Sequence, residues 1–315
     1  MSAFVNSTVF RRVSKVPPSY YLLALLLVIL FVARPQMMNA NVLGVFVRQV
    51  VPLGILVLGQ LLVMRVKSID LSGGGVILLI NYCISSGIFP GASLGFYVAL
   101  ALVTGLAIGL FNGVMVAKRR VSAVIVTLAL SIVLVGFVQY LSSGKPPGDV
   151  PKIFADLFNT RFIGVPSPVL FWIALTALMA LLLSQTVFGR FVAAVGESMP
   201  AAHFSGVPVE RTVILAHTLA GLMAAMPMIT MAATMGGSVR VGLDLPILSV
   251  AATILGGVVF GRGEGGVWGP FFGVLCFAFL FVVMTMFGVG DAGKLVAQGL
   301  IILFAAIFYG LRAGK

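Results

Sequence analysis

The stretch FYVALALVTGLAIGLFNGVMVAKRRVSAVIVTLALSIVLVGFVQY, residues 96–140, sets the fold class. Two apolar runs, about 93–116 and 122–141, flank one short polar turn holding Lys118, Arg119 and Arg120. A helix rises 1.5 Å per residue, so about 20 apolar residues cross a hydrocarbon core of about 30 Å. A chain that crosses lipid, turns in water beside basic residues and crosses back needs this pattern. A helix suits the crossing because it satisfies every backbone N–H and C=O within itself. The rest of the chain repeats the theme: of its 315 residues, 60% are hydrophobic and only 9% charged. A water-soluble domain carries about 25% charged residues. An all-α membrane protein is therefore expected.

The apolar runs lie at about 18–33, 43–64, 71–88, 93–116, 122–141, 167–187, 213–235, 247–260, 267–287 and 294–311, which predicts about ten spans in one polytopic transmembrane domain over 1–315. The runs at 71–88 and 247–260 are short or rich in glycine. They read either as broken helices lining a pathway or as tilted helices of the inner shell. Arg11, Arg12 and Lys15 precede the first run without a small-residue cleavage site, so an uncleaved first span is expected.

The net charge of +12 is dispersed through the short gaps between runs, which is a topology signal and not a nucleic-acid footprint. With the N-terminus inside, thirteen basic residues fall on the cytoplasmic side, among them Arg65, Lys67, Arg190 and Arg211. Six fall outside: Arg34, Lys145, Lys152, Arg161, Arg240 and Lys294; Arg48 lies within a span. The positive-inside rule then places both termini in the cytoplasm, residues 142–166 outside as a loop with a short amphipathic helix, and residues 188–212 inside.

The chemistry of an energy source is missing from the pattern. No G-x-x-x-x-G-K-[ST] occurs, so the chain is not expected to cradle nucleotide phosphates. Most acidic residues lie at loops or span ends, whereas an ion-coupled carrier commonly keeps one in mid-membrane. Asp70 and Arg48 alone intrude; Asp70, three residues after Lys67, reads as an interfacial charge at a helix start or as a functional group. There is no nucleophile elbow and no HExxH, and the two cysteines, Cys83 and Cys276, lack metal or disulfide spacing. Catalysis, a metal site and a cofactor bound by this chain are not expected.

A path without an engine needs a docking surface for one. The stretch FGRFVAAVGESMPAAHFSGVPVER, residues 188–211, suits that role: Ala201, Ala202 and Gly206 permit close backbone approach, and Phe204 offers an apolar plug.

Four stretches together resemble the ribose-type permeases of ABC importers: SIDLSGGGV (68–76), GLFNGVMVAKRRVSAVIVTLAL (109–130), the 188–211 stretch, and ILGGVVFGRGEGGVWGPFFG (254–273). The resemblance implies a substrate path near Asp70, Ser72, Asn112 and Thr127. It also implies a coupling helix marked by Gly189, Arg190, Gly196, Ala201, Ser205 and Gly206. The partners it implies are cytoplasmic ATPase subunits that use the ATP, a periplasmic substrate-binding protein, and a second permease chain as homodimer or heterodimer. The chain departs from the family pattern at Pro246 and Leu248, where an acidic motif is usual, and at Phe281, Val282 and Val283, where polar residues are usual. An ion-coupled secondary carrier and a non-transporting scaffold are the competing readings.

Overall fold

In chain order the helices are α1 (Pro18–Ala33), α2 (Ala40–Arg65), α3 (Gly73–Ser85), α4 (Leu94–Ala117), α5 (Ala123–Ser142), α6 (Lys152–Asn159), α7 (Ser167–Gln185), α8 (Val187–Glu197), α9 (Met199–Phe204), α10 (Val209–Met235), α11 (Leu245–Leu255), α12 (Trp268–Met286) and α13 (Asp291–Ala313). A 3₁₀ turn spans Pro35–Met38, and β1 (Arg161–Phe162) pairs antiparallel with β2 (Val165–Pro166). The structure, a computed structural model, describes residues 17–145, 148, 150–162, 164–235, 242–258, 263 and 265–313. The basic residues Arg11, Arg12, Lys15, Arg240, Arg262 and Lys315, which entered the orientation reading, lie outside them.

Helix starts follow local chemistry. The side chains of Asn39, Ser93, Thr186 and Ser198 accept from the first-turn N–H groups of α2, α4, α8 and α9. Proline occupies the first turn of α1, α7, α9 and α11, where its missing donor costs nothing. Inside the helices, Thr176, Thr218, Thr253 and Ser85 each donate to the carbonyl four residues back, so their hydroxyls need no water.

Among the described residues, α2, α4, α5, α7, α12 and the Val209–Met231 portion of α10 are long and apolar enough to cross a membrane. The runs expected at 18–33, 71–88 and 247–260 correspond to the shorter α1, α3 and α11. With 16, 13 and 11 residues, these extend only about 24, 20 and 17 Å at 1.5 Å per residue. They reach less than the hydrocarbon thickness, so the expected ten spans comprise six helices of crossing length, three short ones, and the run at 294–311 within α13.

The most extensive pairing is α4 with α10, made by close backbone approach. Gly105, Gly109 and Gly113 repeat every fourth residue on one face of α4. A Cβ on Gly113 would stand 2.8 Å from Ile214 Cα, one on Gly109 would meet the His217 carbonyl, and one on Gly105 the Gly221 carbonyl. Small residues at such a seam let dispersion and backbone contact replace a hydrophobic drive that lipid does not supply. A second seam joins α11 to α12 through Gly256, Gly269 and Gly273. Trp172 of α7 fits a notch at Gly54 of α2 and stacks on Phe271 at 4.3 Å.

Two irregular segments attach to opposite ends of α2. Arg48 lies over the Phe158 ring at 4.4 Å and donates to Asn159 Oδ1 at 3.3 Å, holding α6. Arg65, at the other end, abuts Gly196 at the end of α8. The two arginines are separated by about 26 Å of helix at 1.5 Å per residue, close to one hydrocarbon thickness.

Replacing Gly109 by leucine is expected to destabilise the detergent-solubilised chain by about 1–3 kcal/mol, the usual range for an overpacked contact. Gly136 of α5 has nothing within 4 Å of a Cβ, so Gly136→Ala should not destabilise and gains up to about 1 kcal/mol of helix propensity. Thermal unfolding of both variants checks this, and equal melting points would remove the seam's importance.

Candidate functional site

The α2–α3 connector, residues 66–72, brings together the four residues expected at a path. Asp70 Oδ1 accepts from the Ser72 N–H at 2.8 Å and from its hydroxyl at 2.6 Å. Ser72 Oγ accepts in turn from Asn112 Nδ2 of α4 at 2.9 Å. Thr127 of α5 accepts from the Leu71 N–H at 3.0 Å and donates to the Ala123 carbonyl at 2.8 Å. Asp70 is 7% exposed, and Ser72, Asn112 and Thr127 are fully buried. Burying polar groups is tolerable only when they are paired, and this node is largely self-satisfied. Asn112 Oδ1 is the member without a hydrogen bond among the described residues.

Asp70 lies three residues before α3 and is buried. Its carboxylate serves the N–H of Ser72, the residue that precedes α3, and not an N–H within the helix. Lys67 does not pair with it; its Nζ donates to the Glu197 carbonyl at 3.1 Å. The sequence reading passed over His217, which stands on α10 fully buried with Nε2 2.7 Å from Ser68 Oγ. A lone histidine in an apolar helix was the available signal.

The 188–212 stretch folds into α8, α9 and the start of α10. Its expected docking residues separate into two sets. Gly189 and Gly196 are buried: a Cβ would meet the Leu183 carbonyl at the first and the Arg65 carbonyl and Gly263 at the second. Ala202, read as making room for a partner, faces inward at 4% exposure and packs with Val66, Val192, Val195, Val213 and Ala216. Its small size serves this internal packing, so that expectation is corrected. Gly206 is exposed with φ of +79° and open space around it, so the turn after α9 requires glycine for its backbone. Arg190, Ala201, Phe204 and Ser205 are exposed, Phe204 at 89%. The arm is thus glued to the body by one face and turns an aromatic side chain away from it.

The amphipathic helix expected within 142–166 is α6. Its Phe154 and Phe158 are buried, Phe154 against Tyr97 at a ring distance of 5.8 Å. Arg48, left unexplained within a span, is its anchor.

Six apolar crossing helices with polar segments at both ends define a multi-pass helical membrane protein. More specifically, the chain belongs to the family described as branched-chain amino acid transport system / permease component, which matches residues 42–306. It is 31% identical to the ribose import permease protein RbsC of Escherichia coli over 91% of both chains. It is 30% identical to the L-arabinose transport system permease protein AraH of the same species, covering 81% of this chain and 78% of that one. The autoinducer 2 import system permease protein LsrC of Klebsiella pneumoniae is 32% identical over 85% and 78%. No solved structure matches the chain. Its place is the bacterial inner membrane.

An asparagine at 70 keeps an oxygen for both Ser72 donors, whereas leucine strands them in a buried site. Asp70→Leu is therefore expected to cost about 1–3 kcal/mol more than Asp70→Asn, the penalty of a buried unsatisfied group. Thermal unfolding of the two variants checks the difference, and matching values would make the node energetically idle.

Proposed function

We propose that this chain is the permease subunit of an ATP-driven importer, forming the path for a sugar or similar small polar solute. Family membership and relatives named for ribose, arabinose and autoinducer 2 import support this reading. Separate ATPase subunits dock on the 188–212 arm, an external binding protein delivers solute, and a second permease chain completes the path. All ten runs lie within the membrane with both termini cytoplasmic, α6 on the outer face, and the polar node beside the path. The observation that carries the coupling role is Phe204, 89% exposed on a short helix whose neighbour Ala202 is buried. An aromatic side chain held out on a braced arm suits an apolar groove on a cytoplasmic partner. The family favours this over an ion-coupled carrier.

Orientation is checked by cysteine labelling from outside on a Cys-free background. A cysteine at Lys152 is expected to label and one at Ser198 to stay silent; the reverse pattern overturns the topology.

Docking is checked by Phe204→Asp. An unpaired charge in an apolar groove costs about 2–5 kcal/mol, and each 1.4 kcal/mol is tenfold. Affinity for the ATPase should fall by about 1.4 to 3.6 orders of magnitude and its recovery with the tagged chain accordingly, with membrane level unchanged because the side chain is exposed. Ala201→Trp should act likewise by bulk. Full ATPase recovery in both variants would remove the arm as the docking site.

A further inference from the structure

The arm and the buried node are tied together by one short piece of backbone, the connector from Arg65 to Ser72. At its first end Arg65 Nε donates to the Gly263 carbonyl at 3.2 Å, and the Arg65 carbonyl lies against Gly196 of α8. Val66 is fully buried among the arm's apolar residues, Val192, Val195 and Ala202. Lys67 adopts φ of +61°, a conformation that non-glycine residues rarely hold without a reason, and its Nζ reaches the Glu197 carbonyl at the end of α8. From the next residue on, the contacts belong to the transmembrane helices. Ser68 engages His217 of α10, Leu71 engages Thr127 of α5, and Ser72 engages Asn112 of α4.

We propose that residues 65–72 form the mechanical link through which movement of the 188–212 arm reaches α4, α5 and α10, and that Lys67 is its positioning residue. This rests on the docking reading above. Packed side chains and hydrogen-bond networks can carry coupling between sites, and the connector supplies such a chain of contacts within a few residues. Its two ends differ in kind. The arm end is held by packing around Val66 and by one exposed hydrogen bond from Lys67, while the node end is held by buried hydrogen bonds. Lys67 is only half-buried, and its bond uses a main-chain carbonyl, so removing the ammonium disturbs registration without opening the core. Lengthwise displacement of α8 pulls on Lys67 and thereby on the turn that orients Ser68 and Asp70. The seam glycines, the arm's inward face and the node then move as parts of one lever.

The test uses the full-length chain with its partners in cells, with radiolabelled D-ribose and L-arabinose as uptake probes and ATP hydrolysis read in membranes from the same cells. Lys67→Met is expected to keep membrane level, ATPase recovery and ATP hydrolysis, while solute moved per ATP falls at least about fivefold, the lower end of measured coupling between sites. Lys67→Arg should restore the ratio. Glu197→Ala should leave it unchanged, because only the main-chain carbonyl is used. A wild-type ratio in Lys67→Met overturns the link. If the unaltered chain neither holds an ATPase nor takes up either probe, the importer reading fails separately, and the link is judged on the isolated chain in detergent. There, Lys67→Met should speed amide exchange at Leu71 and Ser72 at least about fivefold and leave α12 unchanged. Unaltered exchange at Leu71 and Ser72 overturns it.

Discussion

In hydrocarbon, apolar side chains gain nothing by leaving lipid for one another, so helices are held by how closely their backbones fit. That constraint is met most fully where α4 meets α10. Gly105, Gly109 and Gly113 lie against Gly221, His217 and Ile214 with no room for a side chain between. The seam does more than join two helices. Asn112 lies between Gly109 and Gly113, and His217 presents its carbonyl to Gly109, so the contact that seats the backbones also fixes the depth of both polar side chains. The connector binds those side chains through Ser72 and Ser68. The node's geometry is therefore a consequence of helix packing.

Many polar groups elsewhere are handled locally. Hydroxyls in α3, α7, α10 and α11 bond back to their own helix, which makes them silent in lipid. Among the described residues, a pair of buried bonds also ties α1 to α12, Ser19 to the Gly269 carbonyl and Cys276 to the Ser19 carbonyl. Around the connector, however, such bonds link four elements: the connector itself, α4, α5 and α10. A backbone segment of that irregularity persists in a buried place because its N–H groups find side-chain acceptors there, Leu71 in Thr127 and Ser72 in Asp70. The same segment meets the arm at its other end, which places buried polar groups one short step from the exposed Phe204.

The crossing helices were legible because hydropathy averages over many residues and tolerates local error. The short helices were legible only as weak spans: α3 and α11 carry the composition of a span, but Ser72 before α3 and Gly256 after α11 end them early. The four node residues could be named from motif resemblance, yet their joint bonding could not, since Ser72 and Asn112 are 40 positions apart. The arm shows the opposite limit. Small residues read as room for a partner, but whether the room is used inside or outside depends on which way a short helix is rolled. Ala201 and Ala202 are chemically identical neighbours, one exposed and one buried. Arg48 was legible as an anomaly, and its reason, the Phe158 ring and Asn159, lies more than a hundred residues away.

The positions where the chain departs from the ribose-type pattern gain a physical reading from the same packing. Leu248 of α11 and Val283 of α12 are buried in one apolar cluster, Phe281 and Val282 pack against it, and Phe281 stands 5.9 Å from the Phe277 ring. Pro246 is buried at the first turn of α11, close to Gly74 of α3. A polar side chain buried in such surroundings would need a bonding partner. Apolar residues there are consequently consistent with one another, since they pack with the hydrophobic residues of the same cluster. The polar node on the other flank of α10 is untouched by them, with Asp70, Ser72, Asn112 and Thr127 all in place and bonded. Among the described residues, side-chain to side-chain bonds between buried groups of different elements lie on the α4–α5–α10 side, whereas buried donors on α11 and α12 bond to main-chain carbonyls. The connector meets the arm directly at Lys67 and Val66 and the membrane helices at Ser68, Leu71 and Ser72, so one short segment carries polar contacts to both.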